Sequence, residues 1–194
     1  MTFAGAIIAG GRSTRMQGAD KLLELIGGRS LIDRIIDRVR PQVDALIINA
    51  NDRVERFSHT GLPIVADVLT EIGTPLAGLH AALTWARGEN HDWLLAVTGD
   101  APFLPVDLAE CLMAASSTAA IAASGRHSHY LTGLWRTSLL SEFKSVKSLR
   151  VQDWARMVGA VQVEWPTSPY DPFLNINTRQ DLAAAQRIAA EFKL

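Results

Sequence analysis

What most limits the fold open to this chain is a repeated pattern: a short, continuous apolar run, an abrupt stop on a glycine or small polar residue, then a stretch of helical spacing. Residues 6–9 stop at Gly10, residues 45–48 at Asn49, residues 63–66 at Asp67, and residues 93–97 at the corner Thr98-Gly99-Asp100. Runs this short that do not alternate with polar residues read as strands covered on both faces, the habit of parallel sheets. Between them, Leu31, Ile32, Ile35, Ile36 and Val39 recur at helical spacing, as do Leu76, Leu79 and Leu83, and then Leu108, Cys111, Leu112 and Ala115. Strands alternating with helices predict an α/β domain over residues 1–194, a mostly parallel sheet with helices on both faces. Ligands of such sheets sit at the carboxyl ends of the strands. Gly10, Asn49, Asp67, Asp100 and, further on, Asn175 stand at those ends, so one crevice is expected.

Finer punctuation fills in the rest. Residues 22–26 predict a brief strand turned by Gly27-Gly28. Ser30 caps the first helix, with Asp33 three residues on, while Arg34, Arg38 and Arg40 fall on its solvated side. A short helix is expected over residues 52–58. Thr74 caps a helix that begins at Pro75 and stops at Gly88, and Pro105 opens the next one. Further strands are expected at residues 119–123, 131–135 and 160–165, with a short one at 173–177, and helical turns at 139–143 and 149–157. Thr178 with Asp181 caps a last helix carrying Leu182, Ala185, Ala189 and Phe192.

Composition removes several classes of function. With 48% hydrophobic residues and a net charge of −1, the chain can bury a core and carries no general attraction for nucleic acid. Any polyanion site must therefore be local. The single cysteine, Cys111, excludes an internal disulfide and a cysteine-rich metal cluster. The opening MTFAGAIIAGG has no basic leader, and no run approaches the ~20 apolar residues of a membrane span. A soluble, cytoplasmic protein with no membrane partner is expected.

The local polyanion site is legible in residues 6–21, AIIAGGRSTRMQGADK. Gly10-Gly11 bares backbone N–H groups directly after a buried strand, and Arg12, Arg15 and Lys21 add positive charge to the same loop. That combination points to a nucleoside triphosphate. It is not the ATPase-type loop, because Gly18 is followed by Ala19-Asp20. Nor is it the dinucleotide fingerprint, since the glycines stand at 10, 11 and 18 and the second strand ends in Asn49-Ala50-Asn51 without an acid. Asp100, between a buried strand and Pro102, is a hard oxygen ligand on a stiff edge and suits a magnesium ion bridging to the triphosphate. The plainer role for such an Asp is to cap the turn into the next helix. His80, His127 and His129 match no zinc spacing, and the tryptophans at 85, 93, 135, 154 and 165 read as packing.

The string IAGGRSTRMQGADK resembles the L-A-G-G-x-x-x-R-M-G-x-D-K signature of the nucleotidyltransferase family that includes molybdenum cofactor guanylyltransferases. Ile8, Ala9, Gly10, Gly11, Arg15, Met16, Asp20 and Lys21 match, and Gln17 replaces a Gly. TGDAPFL is similar to the family's C-D-x-P-[FY]-[LI] element around Asp100. Asp67 followed by Thr74-Pro75-Leu76-Ala77-Gly78 resembles its Asp and G-P-L-A-G segment, and FLNINT its N-x-N-T. GRHSHY loosely resembles R-x-H-P, with Tyr130 where the family has Pro.

The resemblance implies a single-domain Rossmann-like fold of the nucleotide-diphospho-sugar transferase type. It implies transfer of GMP from Mg-GTP to molybdopterin or the molybdenum cofactor, with release of pyrophosphate. Arg15, Lys21 and Asp100 would be catalytic, and Ile8, Ala9, Gly10, Gly11, Lys21, Asn49, Asp67 and Asp100 would meet the nucleotide. Asp100 would hold Mg2+, Asn175, Asn177 and His129 would meet the acceptor, and other cofactor-biosynthesis proteins would make transient contact. Such a transfer asks for in-line positioning and charge neutralisation rather than a protein nucleophile. Two rivals share the motifs: transfer from CTP to molybdopterin or of a nucleotide to a sugar phosphate, and a non-catalytic nucleotide-binding relative. CTP-using relatives tend to read L-A-A-G, so Gly10-Gly11 after Ala9 favours GTP.

Overall fold

Strand β1 (Phe3–Ile8) lies inside the sheet, and its side chains alternate between two cores: Ile7 belongs to one, and Ala4, Ala6 and Ile8 to the other. A strand with no wet face needs a layer of helix on each side, which the chain supplies. The computed structural model describes residues 1–10, 20–69, 74–145 and 150–194. In chain order the elements after β1 are β2 (Leu25–Ile26), β3 (Arg29–Ser30), α1 (Leu31–Val39), β4 (Ala45–Asn49), β5 (Ile64–Val65) and α2 (Pro75–Gly88). Then come β6 (Trp93–Thr98), α3 (Leu108–Ala115), β7 (Ala119–Ser124), β8 (His127–Arg136), α4 (Val151–Met157), β9 (Val161–Trp165) and α5 (Arg179–Phe192).

Seven strands form one sheet in the order β5-β4-β1-β6-β8-β7-β9. The pairs β5/β4, β4/β1, β1/β6 and β7/β9 are parallel, while β8 runs antiparallel to both neighbours. The expected mostly parallel sheet thus carries one reversed strand. Its cause is the turn between β7 and β8, where Gly125 and Arg126 both take positive φ, 50° and 75°. Helices α1, α3 and α5 pack on one face and α2 and α4 on the other. Each fully buried Leu or Ile contributes about 1.5–3 kcal/mol. An exposed pair such as Arg29–Asp37 contributes roughly 0–1 kcal/mol, so the two apolar layers hold the sheet.

Several local expectations hold. Ser30 Oγ accepts from Asp33 N at 3.2 Å, and Thr178 with Asp181 forms a complete capping box. Others are corrected. Residues 22–26 are no single strand: Asp20 caps a 3-10 turn over Lys21–Leu23, and only β2 follows, paired with β3. The short helix expected over residues 52–58 is present but shifted, as a 3-10 stretch over Val54–Thr60 entered through Arg53 at φ 47°. Residues 173–177 lie outside the sheet, and α3 starts at Leu108 behind Asp107 instead of at Pro105. Thr74 does precede α2, but its hydroxyl caps nothing. Arg34 is buried, not solvated: Nε donates to Ile26 O and Nη2 to the carbonyl of Leu194 at 2.9 Å, tying α1 to the end of the chain.

Candidate active site

The register of the three central strands brings the predicted residues level. Ile8 pairs with Asn49 on one side and with Thr98 on the other. Beyond those partners Ala9 N donates to Asn49 O at 2.9 Å and Gly99 N to Ile8 O at 3.0 Å. Gly10, Asn49 and Asp100 consequently stand along one carboxyl edge, as the crevice argument requires. Gly11 and Arg15 lie outside the described residues.

On the β4 side the polar groups form a closed set. Asn49 is buried; its Nδ2 donates to Val65 O at 3.0 Å and to Asp67 Oδ1 at 2.9 Å. Asn51 Nδ2 donates to the other Asp67 oxygen at 2.8 Å, and Asp67 N returns a bond to Asn51 Oδ1 at 2.7 Å. With its amide nitrogen so committed, Asn49 turns Oδ1 toward Gly10 and Gly78. A Cβ on Gly78 would lie 2.4 Å from that oxygen and 3.0 Å from Ile8 Cγ2. Only a bare backbone at position 78 lets α2 lie this close to the strand ends.

On the β6 side one ammonium gathers three segments. Lys21 Nζ donates to Asp100 Oδ2 at 3.2 Å, to the Ile176 carbonyl at 3.1 Å and to Asn177 Oδ1 at 3.1 Å, using all three of its protons. Asp100 Oδ1 accepts from Thr98 Oγ1 at 2.6 Å, and its backbone carbonyl accepts from Ile176 N at 2.8 Å. Segment 175–177 is no strand, yet these bonds carry Asn175 and Asn177 to the same edge. The Lys21 and Asp100 side chains are each 18% exposed, sheltered enough to be rigid and open enough to meet a ligand.

The donor set bears on magnesium. Asp100 offers a carboxylate at this edge, while the Asn177 amide oxygen and the Ile176 carbonyl are engaged with it on the Lys21 ammonium. Among the described residues no group of three or more His, Cys, Asp or Glu gathers as a metal cage. One carboxylate beside substrate phosphates is the usual arrangement for magnesium, and the Asp100 carboxylate at the strand end fits that ion.

Beside this edge lies a cavity of about 210 Å³ lined by Thr98, His129, Tyr130, Thr132, Phe173 and Asn175, among others. It exists because β8 bulges: Ile121 pairs with Gly133 and the next residue, Ala122, with His129, leaving residues 130–132 unpaired on β8. Tyr130 falls in this bulge. His129 stacks on Phe173 with ring centroids 4.7 Å apart, and burial lowers its pKa below 6.5.

Sequence reasoning missed four contributors. Thr98 and the Ile176 carbonyl flank the singled-out residues. Arg56 Nη1 reaches Asp20 Oδ2 at 2.9 Å and secures the residue whose other oxygen caps the turn bearing Lys21. Asp171 accepts from Ser124 Oγ at 2.9 Å. Only Asp171, set before Pro172, had a turn signal to flag it.

Comparison with known proteins extends this picture. A family model described as a MobA-like NTP transferase domain matches residues 5–161. A curated relative named molybdenum cofactor guanylyltransferase, from Nitrobacter hamburgensis, is 40% identical over 96% of this chain and 94% of its own. One of the same name from Rhodopseudomonas palustris is 42% identical over 94% of this chain and 92% of its own. Among solved structures, molybdopterin-guanine dinucleotide biosynthesis protein A from Archaeoglobus fulgidus superposes with a TM-score of 0.73 at 21% identity, covering 97% of this chain and 99% of its own. That last likeness concerns the fold alone.

Proposed function

The chain belongs to the MobA-like NTP transferase family, among the molybdenum cofactor guanylyltransferases, and we propose that its crevice passes GMP from Mg-GTP to molybdopterin or the molybdenum cofactor. A terminal phosphate oxygen of the acceptor attacks the α-phosphorus of GTP. The new P–O bond forms as the α–β bridging bond breaks, and pyrophosphate leaves with the electron pair. The acceptor phosphate is already anionic near neutral pH, so no general base is required and the residues serve to position and to neutralise.

The observation that carries this reading is the meeting of three separate sequence elements at Lys21 Nζ: the end of the glycine loop, Asp100, and the Asn177 segment. In this reading Lys21 sets positive charge against the phosphates and Arg15 adds charge from the same loop. Ile8, Ala9, Gly10, Gly11, Asn49 and Asp67 form the nucleotide side, with Asp67 acting through its hold on Asn49. Asn175, Asn177 and His129 face the acceptor. Asp100 would hold magnesium, which when bound neutralises charge on the triphosphate. Residues 1–194 act as one nucleotidyltransferase domain, since β9 and α5, beyond most of the family match, complete the same sheet and core. A cytoplasmic enzyme handing its product to other cofactor-biosynthesis proteins completes the proposal. No helix among the described residues is long and apolar enough to cross a membrane.

Calorimetric titration with GTP, CTP and UTP, followed by pyrophosphate release with molybdopterin, tests it. GTP is expected to bind in preference, and release to depend on molybdopterin. Asp100→Ala should keep the wild-type melting profile and lose roughly 10²-fold or more in turnover, the usual scale for losing an electrostatic stabiliser. Preferential CTP binding would overturn the base assignment, and near-normal turnover of the variant the role of Asp100.

A further inference from the structure

A hydrogen-bond chain runs behind the acceptor cavity to His129, and the transfer chemistry above gives its other members, Ser124 and Asp171, no role. Ser124 closes β7 and is fully buried. Its Oγ donates to Asp171 Oδ1 at 2.9 Å and lies 2.8 Å from His129 Nε2. A hydroxyl has one proton to give, and an ionised carboxylate can only accept. The serine proton therefore belongs to Asp171, and Nε2 must donate in the other bond. Asp171 is held in turn, since the same oxygen accepts from Phe173 N at 2.9 Å. A neutral imidazole carries its proton on one nitrogen only, so Nδ1 is left with a bare lone pair. No hydrogen bond within the described residues uses Nδ1, and the ring lines the cavity.

We propose that Asp171 and Ser124 are positioning residues that lock His129 with its proton on Nε2, so that Nδ1 stands in the cavity as a hydrogen-bond acceptor for an N–H group of the substrate's pterin ring. This rests on reading the crevice as a guanylyltransferase site. A phosphate oxygen needs a donor or a positive charge, and a neutral ring offers neither at Nδ1; a heterocycle edge rich in N–H groups matches it, and Phe173 beneath His129 holds the imidazole plane. Burial is the chief reason the ring stays neutral, and His127 on the same strand adds to it, whereas Asp171 and Glu164 of β9 pull the other way.

The tautomer is readable without substrate. In wild-type protein labelled with 15N-histidine, long-range 1H–15N correlation spectra at roughly pH 7.5 are expected to show His129 neutral with its proton on Nε2. Ser124→Ala should mix the two tautomers and raise KM for molybdopterin about 10-fold, the scale of one hydrogen bond, leaving kcat and GTP affinity near wild type. A wild-type spectrum with the proton on Nδ1, or an imidazolium at that pH, would overturn the proposal even if the variant failed to fold. So would an unchanged molybdopterin KM in a folded Ser124→Ala protein whose tautomer has shifted. Wild-type enzyme that releases no pyrophosphate with molybdopterin refutes the transfer reading and the named occupant with it. The two failures are distinguishable, because the tautomer is measured on the free protein.

Discussion

At Lys21 a single ammonium holds together the exit of the glycine loop, the end of β6 and the segment before α5. Its removal does two things: it takes positive charge from the proposed phosphate side, and it leaves three oxygens converging on nothing. Lys21→Met is therefore expected to cost roughly 10²-fold or more in kcat/KM, in the range of other lost electrostatic stabilisers. Lys21→Arg should fail to rescue it, because a planar guanidinium cannot point protons at three acceptors grouped around one nitrogen position. Pyrophosphate-release kinetics on both variants check this, and Arg activity near wild type would contradict the three-acceptor account. Lys21 and Asp100 were legible in the sequence because motif spacing marks them. Arg34 was not. Its helical position puts it on the polar face, and its burial rests on the Ile26 carbonyl and on the Leu194 carbonyl, 160 residues away.

At the scale of elements, α2 and β4 meet through a missing side chain. Gly78 lets the helix lie against Asn49, whose amide is already committed to Val65 and Asp67. Gly78→Ala adds helix propensity, which alone would stabilise by up to about 1 kcal/mol, but the new methyl must push Asn49 Oδ1 aside. The expected result is a protein that folds with near-wild-type melting and binds GTP about 10-fold more weakly, the worth of one hydrogen bond; calorimetry and thermal unfolding on the same sample measure both. Unchanged affinity would place Asn49 outside the nucleotide contact. Strands and long helices were legible here because hydrophobic periodicity is local. The reversed β8 and its bulge at residues 130–132 were not, since pairing partners are set across the sheet.

Over the whole molecule, acid sensitivity follows from two half-buried imidazoles. His80 sits edge-on to Phe143 at 4.9 Å, its Nδ1 buried without a hydrogen-bond partner among the described residues, and burial lowers its pKa; burial likewise lowers that of His129. A histidine whose folded pKa lies below 6.5 binds protons more readily when unfolded. The stability it confers is complete above 6.5 and is lost as pH falls through the folded value. The melting temperature is expected to fall on acidification below about 6.5, and the slope to flatten in His80→Leu, which keeps the apolar contact and removes the titration. Melting curves across that interval decide it, and an unaltered slope in the variant would rule out His80 as a source.

The amino-acid order alone determined the strand–helix alternation, the strand edge along which Gly10, Asn49 and Asp100 stand, and the spacing that singles out Asp100 and the N-x-N-T element. Each of these rests on spacing within a few residues, where backbone sterics and hydrophobic periodicity act. Tertiary structure alone decided that Lys21 binds Asp100 and Asn177 together, that Asp67 serves Asn49, and that Ser124 links Asp171 to His129. Those partners lie 18 to 156 residues apart for the first two sets and 47 for Ser124 and Asp171. A hydrogen bond depends on where two atoms stand after the whole sheet has closed, and no local pattern records that.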